Sequence, residues 1–97
     1  MFRSERLRRL VAGLPCVECG RQQRTQAAHS NLAEHGKGKS IKASDAAIMA
    51  LCDECHSMLD QGSSLTRDER HQLTYRAIAN TYIALVEAGR LLPAPDP

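Results

Sequence analysis

Cys52-Asp53-Glu54-Cys55-His56-Ser57-Met58-Leu59-Asp60 answers an earlier Cys16-Val17-Glu18-Cys19-Gly20, and the two stretches together decide how this chain folds. Two Cys-x-x-Cys pairs supply four thiolates, which match the closed ligand set of a structural zinc site. Gly20, just after the first pair, lets the backbone turn tightly enough for its amides to face the sulfurs. In the second stretch, Asp53 and Glu54 suit the positive end of a helix, so a helix begins inside the knuckle and runs to Gly62. His56 and Asp60 stand one turn apart on that helix, about 100° round from Cys55. The spacing therefore predicts two separate sites, a closed zinc knuckle and an open face beside it.

The chain has 97 residues, enough for a single domain (1–97). Its only aromatic residues are Phe2, Tyr75 and Tyr82, so the core is thin and a metal that closes a long loop is a sensible supplement. Disulfides are the other option. Met1-Phe2-Arg3-Ser4-Glu5-Arg6 carries charges with no apolar segment behind them, so no secretory signal is read. No apolar run reaches the roughly 18 residues of a membrane span. A cytoplasmic setting is expected, and it favours thiolates on zinc over disulfides.

Charge is uneven along the chain. Residues 1–42 carry nine Lys and Arg against three acids, and residues 43–97 carry four against eight. A basic half beside a metal site suits a polyanion such as nucleic acid, and a solvated basic helix and loop fits equally well.

Other segments read locally. Ser4 caps a short helix with Leu7, Leu10, Val11 and Leu14 on one face and a stop at Gly13. Thr25 to Leu32 reads as a strand with His29 at or near its end, and Ala46 to Leu51 as a short buried strand. Between them, Glu34-His35-Gly36-Lys37-Gly38-Lys39-Ser40 is a basic loop without the spacing of a P-loop. It either lies against a phosphodiester backbone or is merely mobile. Thr66-Arg67-Asp68-Glu69 is a capping box opening a helix over about 67–88. Tyr75, Ile78, Ala79, Tyr82, Leu85 and Val86 are expected to face the core, with a stop at Gly89 and a non-helical tail over 91–97.

Facing a cation held by the helix at His56 and Asp60, His29 would supply what phosphodiester hydrolysis needs: a neutral imidazole to take a proton from water and a divalent ion to meet the developing charge. Asp45 precedes the second strand, where it would hydrogen-bond His29 or bind the cation. Blander readings stand beside this one. His56 can replace a cysteine on zinc or be a polar helix residue, Asp60 can pair with a basic side chain, and His35 and His71 read as surface residues.

The ordered set of Cys-x2-Cys, Ala28-His29-Ser30-Asn31, the Gly/Lys loop, Lys42-Ala43-Ser44-Asp45 and Cys-x2-Cys-His resembles the HNH endonucleases, the zinc-knuckle branch of the ββα-metal (His-Me finger) superfamily. It is most similar to the small phage and prophage nucleases of the YbcO and recombination-enhancement (Ref) type, over residues 14–62. The resemblance implies an α+β protein: a zinc-stabilised ββα core over 14–62, a flanking N-terminal helix, and a C-terminal helix and tail over 63–97. It implies a metal-dependent DNA endonuclease with His29 as the base, Asp45 in place of the family's middle asparagine, and Cys16, Cys19, Cys52 and Cys55 on structural Zn²⁺. His56 would bind Mg²⁺ or another divalent cation. Many members carry Asp or His before the base, where this chain has Ala28, so the missing ligand falls to Asp60 or Asp45.

Arg6, Arg9, Lys37, Lys39 and Lys42, with Arg3 and Arg8, are the expected contacts to the DNA backbone, and a recombination or other phage or host DNA-processing protein is a possible partner. The rival functions are a non-catalytic zinc module that binds nucleic acid and an adaptor or dimer using residues 75–86. Oligomeric state is left open.

Overall fold

The computed structural model describes residues 1–91. The chain forms a small α+β fold of three helices and a two-stranded antiparallel sheet. Helix α1 spans Glu5–Ala12, and the Ser4 hydroxyl accepts from the Leu7 amide at its start. The first knuckle follows, and then strand β1, Thr25–His29. Strand β2, Ile48–Cys52, pairs with it in a register that sets Thr25 opposite Cys52 and His29 opposite Ile48. Helix α2, Asp53–Gln61, starts at once from β2, with Cys52 as its cap residue. Helix α3 spans Arg67–Glu87 behind the expected capping box, in which Thr66 and Glu69 satisfy each other's backbone amides.

β2 is buried along its whole length, and the period of two in a strand explains why it is apolar throughout. Ile48 and Ala50 pack with Val11, Leu14 and Leu85. Met49 and Leu51 join Ala28, Leu59, Leu73 and Ala77 on the other side. Each large side chain withdrawn from water in this way contributes about 1.5–3 kcal/mol. The strand thus stands rigidly between two clusters, and its ends deliver Asp45 on one side and Cys52 on the other.

Four local expectations need correcting. β1 stops at His29 rather than Leu32, because the buried Ser30 hydroxyl turns back to accept from the Leu32 amide. β2 begins at Ile48 rather than Ala46, because Ser44 turns the chain there, its carbonyl accepting from the Ala47 amide and its hydroxyl from the Ala46 amide. The buried face of α3 is Leu73, Thr74, Ala77, Thr81 and Leu85, while Tyr75, Ala79 and Val86 face solvent. The middle of that face is small, Thr74, Ala77 and Thr81, because the helix lies close on β2, where the Thr81 hydroxyl accepts from the Ala50 amide at 2.9 Å.

His35 is half-buried rather than a surface residue. Its Nδ1 lies 2.7 Å from the Ser30 hydroxyl and its ring meets Tyr75 edge-on. The basic loop starts from a single 3-10 turn, Ala33–His35, closed by Gly36 at φ 94°, a conformation that favours glycine. Of the expected tail over 91–97, residues 92–97 lie outside the described residues. Among the described residues no helix is long and apolar enough to cross a membrane.

Candidate metal centre and the cleft beside it

The sulfurs of Cys16, Cys19, Cys52 and Cys55 all lie within 4.8 Å of one another. Cys19 Sγ and Cys52 Sγ are 3.6 Å apart. Zn–S bonds of ~2.3 Å place tetrahedral sulfurs about 3.8 Å apart, so the four thiols fit one zinc ion. The same spacing is far beyond a disulfide bond of ~2.05 Å, and all four cysteines are free. Burial opposes ionisation of Cys16, yet backbone amides of Cys52, Cys19 and Glu18 outweigh it and lower the thiol to about 7. Burial first, then the neighbouring thiols, push Cys55 upward. A bound divalent cation draws such a set to thiolate together. These four residues are positioned to hold a metal ion and match structural zinc.

β1 carries His29 at its last position and the turn before β2 carries Asp45. Their side chains meet, with His29 Nε2 2.6 Å from Asp45 Oδ1. Asp45 is 1% exposed, and its two oxygens take four donors: His29 and Arg3 on one, the Ser4 amide and Arg8 on the other. A carboxylate offers about four lone-pair sites, so none is left for a cation. Of the two roles open to Asp45, the geometry fits holding His29. Burial alone would raise its pKa, but hydrogen bonds from His29, Ser4 and Arg8 hold it well below the usual carboxylate range. With a carboxylate on Nε2, that nitrogen carries the proton and Nδ1 keeps its lone pair. Among the described residues, Nδ1 has no hydrogen-bond partner.

Helix α2 presents His56 and Asp60 to the same cleft as His29. His56 Nε2 lies 3.0 Å from Asp60 Oδ2, and His56 Nδ1 lies 2.6 Å from Gln26 Oε1. With the amide oxygen facing Nδ1, that nitrogen donates, and a neutral ring then points the Nε2 lone pair at a carboxylate. A ring that carries its proton on Nε2 donates to Asp60 directly, and a ring with its lone pair there shares a cation with the carboxylate. Cis ligand atoms ~2.1 Å from an octahedral cation stand about 3.0 Å apart, so this pair fits one edge of a cation's shell. Asn31 Nδ2 donates to the other Asp60 oxygen at 2.6 Å and fixes its orientation.

His29, His56, Asp60, Asn31, Arg8, Lys37 and Lys42 line one open cleft of about 370 Å³. Of the seven basic residues expected as DNA contacts, Arg8, Lys37 and Lys42 are on the cleft. Lys39 and Arg6 are exposed away from it, and Arg9 pairs with Glu5 on the solvent face of α1. Arg3 is turned inward, to Asp45 and the carbonyls of Lys42 and Ala43. Sequence reasoning missed Gln26, Asn31 and the Arg8–Asp45 pair, since each is a polar side chain whose partner is distant in sequence. Ala28 is buried in the core and offers no ligand. No family model, curated protein or solved structure matches the chain.

Proposed function

We propose that this cleft is the active site of a metal-dependent endonuclease of the HNH type, cutting DNA phosphodiester bonds on a β1–β2–α2 scaffold of the ββα-metal kind. The observation that carries the reading is two dyads, His29–Asp45 and His56–Asp60, whose His29, His56 and Asp60 side chains line one cleft with Arg8, Lys37 and Lys42. In this mechanism His29 Nδ1 takes the proton of a water as its oxygen attacks phosphorus. Asp45 keeps the ring in the required tautomer and stabilises the imidazolium that forms. Lys37, Lys42 and Arg8 bring positive charge to the phosphate backbone. His56 and Asp60 would hold a divalent cation, which supplies neutralisation of the phosphate and of the leaving oxygen. The zinc at the four cysteines stays structural, because its ligand set is closed.

Plasmid nicking by zinc-loaded protein, with and without added Mg²⁺ or Mn²⁺, tests this. Nicking is expected only with the cation, and His56→Ala and Asp60→Asn should each raise the cation concentration needed for half-maximal rate. Salt-sensitive DNA binding with no cutting at any cation concentration would instead identify a non-catalytic nucleic-acid module, for which the basic cleft alone suffices.

A further inference from the structure

A second cavity, about 270 Å³, opens next to the cleft between the end of α2 and the first turns of α3. The two cavities share Asn31 and Asp60 as walls, and the Asn31–Asp60 hydrogen bond at 2.6 Å is the partition between them. Leu32 and Leu59 give the second cavity apolar lining, and Arg67 and His71 line it as well. Its volume falls below the roughly 300–1,000 Å³ of sites for drug-sized ligands, so it takes a single flat ring and little more.

Charges around it are not equivalent. Arg70 is spent on structure, because its guanidinium donates to the carbonyls of Leu59 and Gly62 and terminates α2. The Arg67 guanidinium has no hydrogen-bond or ion-pair partner among the described residues. The His71 ring is held at Nδ1, 3.2 Å from the Arg67 carbonyl, and Nε2 lies 3.8 Å from Glu34. Two planar groups, a guanidinium and an imidazole, therefore share one small cavity with two aliphatic side chains, at the edge of a cleft that suits phosphate. Unstacked nucleobases are held by such groups, through stacking on rings and guanidinium planes.

We propose that this second cavity is a nucleobase subsite, which receives the base of a nucleotide next to the phosphate bound in the cleft. It rests on the reading of the cleft as a phosphodiester site. A base entering it must leave its stack, so single-stranded or locally opened DNA is the substrate that fills it. The subsite gives the enzyme contact with a base without any element entering a groove.

The test is a titration of the full-length zinc-loaded protein, without added Mg²⁺, followed by NMR of its side chains. The ligands are a short single-stranded oligodeoxynucleotide, the same backbone with abasic residues, a deoxynucleoside monophosphate and inorganic phosphate. The expected result is that methyl signals of Leu32, Leu59 and Thr74 shift with the base-bearing strand and not with the abasic one. The abasic strand should bind about tenfold more weakly, the worth of one stacked base. Arg67→Ala with His71→Ala should remove most of that difference while the zinc content stays at wild type.

Shifts at His29 and His56 without shifts in the pocket methyls would overturn the subsite and leave the cleft standing. Equal shifts with the abasic strand or with inorganic phosphate would reduce it to an anion contact. Binding of the free nucleotide as tight as that of the strand would make it an independent nucleotide site. No shift at either place would sink the nuclease reading along with the subsite.

Discussion

His29 Nε2 and Asp45 Oδ1 are 2.6 Å apart, and the opposite oxygen of the same carboxylate takes the amide of Ser4 at 2.7 Å. One buried side chain thus joins the end of β1 to the start of α1. Orientation of the proposed base and docking of the N-terminal helix depend on the same group. Asp45→Asn should therefore act twice. Cleavage should fall by about 10²–10⁴, the range for losing an oriented general base. Stability should fall by about 1–3 kcal/mol, less than for a fully buried pair because Arg3 and Arg8 are partly solvated. Single-turnover rates and denaturant melts of the two proteins measure both effects.

The acid limb of stability carries a second signature of Asp45. Its folded pKa lies below the ordinary value of 3.8, so its contribution is fully present above that value and is lost as pH falls toward the folded one. The stability difference between wild type and Asp45→Asn should be flat near neutral pH and should narrow as pH drops below about 4. A gap that stays constant down the acid limb would mean that the carboxylate is not ionised preferentially in the folded state.

Removal of zinc should unfold the protein rather than merely inactivate it. Zinc binding in small zinc domains is worth ~10–16 kcal/mol, as large as the ~5–15 kcal/mol by which whole domains are stable. Cys52 also caps α2 and ends β2, so Cys52→Ala should behave like a strong chelator. Elemental analysis should give one zinc per chain, and circular dichroism should show loss of helix when it is withdrawn. Unchanged melting with and without metal would remove zinc from the folding argument.

Salt dependence distinguishes the basic residues on the cleft from those away from it. Each phosphate contact adds about 0.9 to the slope of log affinity against log salt. Lys37→Ala and Lys42→Ala should each lower that slope by about 1. Arg6→Ala, Arg9→Ala and Lys39→Ala should each change it less, unless bound DNA also runs along α1 and the outer loop. Titrations at several salt concentrations read this directly.

The capping box provides a control whose paired residues, Thr66 and Glu69, line neither cavity. Thr66→Ala should cost about 1 kcal/mol and lower the melting temperature by roughly 4–8 °C, with zinc content and cleavage at moderate temperature unchanged.

Features legible in the sequence were local ones: the two knuckles, the Ser4 and Thr66 caps, the start of α2 inside the second knuckle, and the placement of His29 at a strand end. Each depends on residues within a few positions of one another. The buried face of α3 was not legible, because size and periodicity favour Tyr75 and Val86, whereas close packing on β2 selects Ala77 and Thr81. The same holds for the cleft. His56 and Asp60 share a helix face and could be paired from spacing, but Gln26 and Asn31, which fix them, arrive from β1 and the segment after it. The sequence leaves Asp45 two roles, and the four donors on its carboxylate come from residues far away in the chain.

Nicking of supercoiled plasmid by wild type and His29→Ala, at equal zinc content and saturating Mg²⁺ or Mn²⁺, is the measurement to make first. Cation-dependent nicking by wild type with a loss of about 10²-fold or more in the variant is the expected result. Equal nicking by both proteins contradicts His29 as the base, and no nicking by wild type contradicts the endonuclease itself.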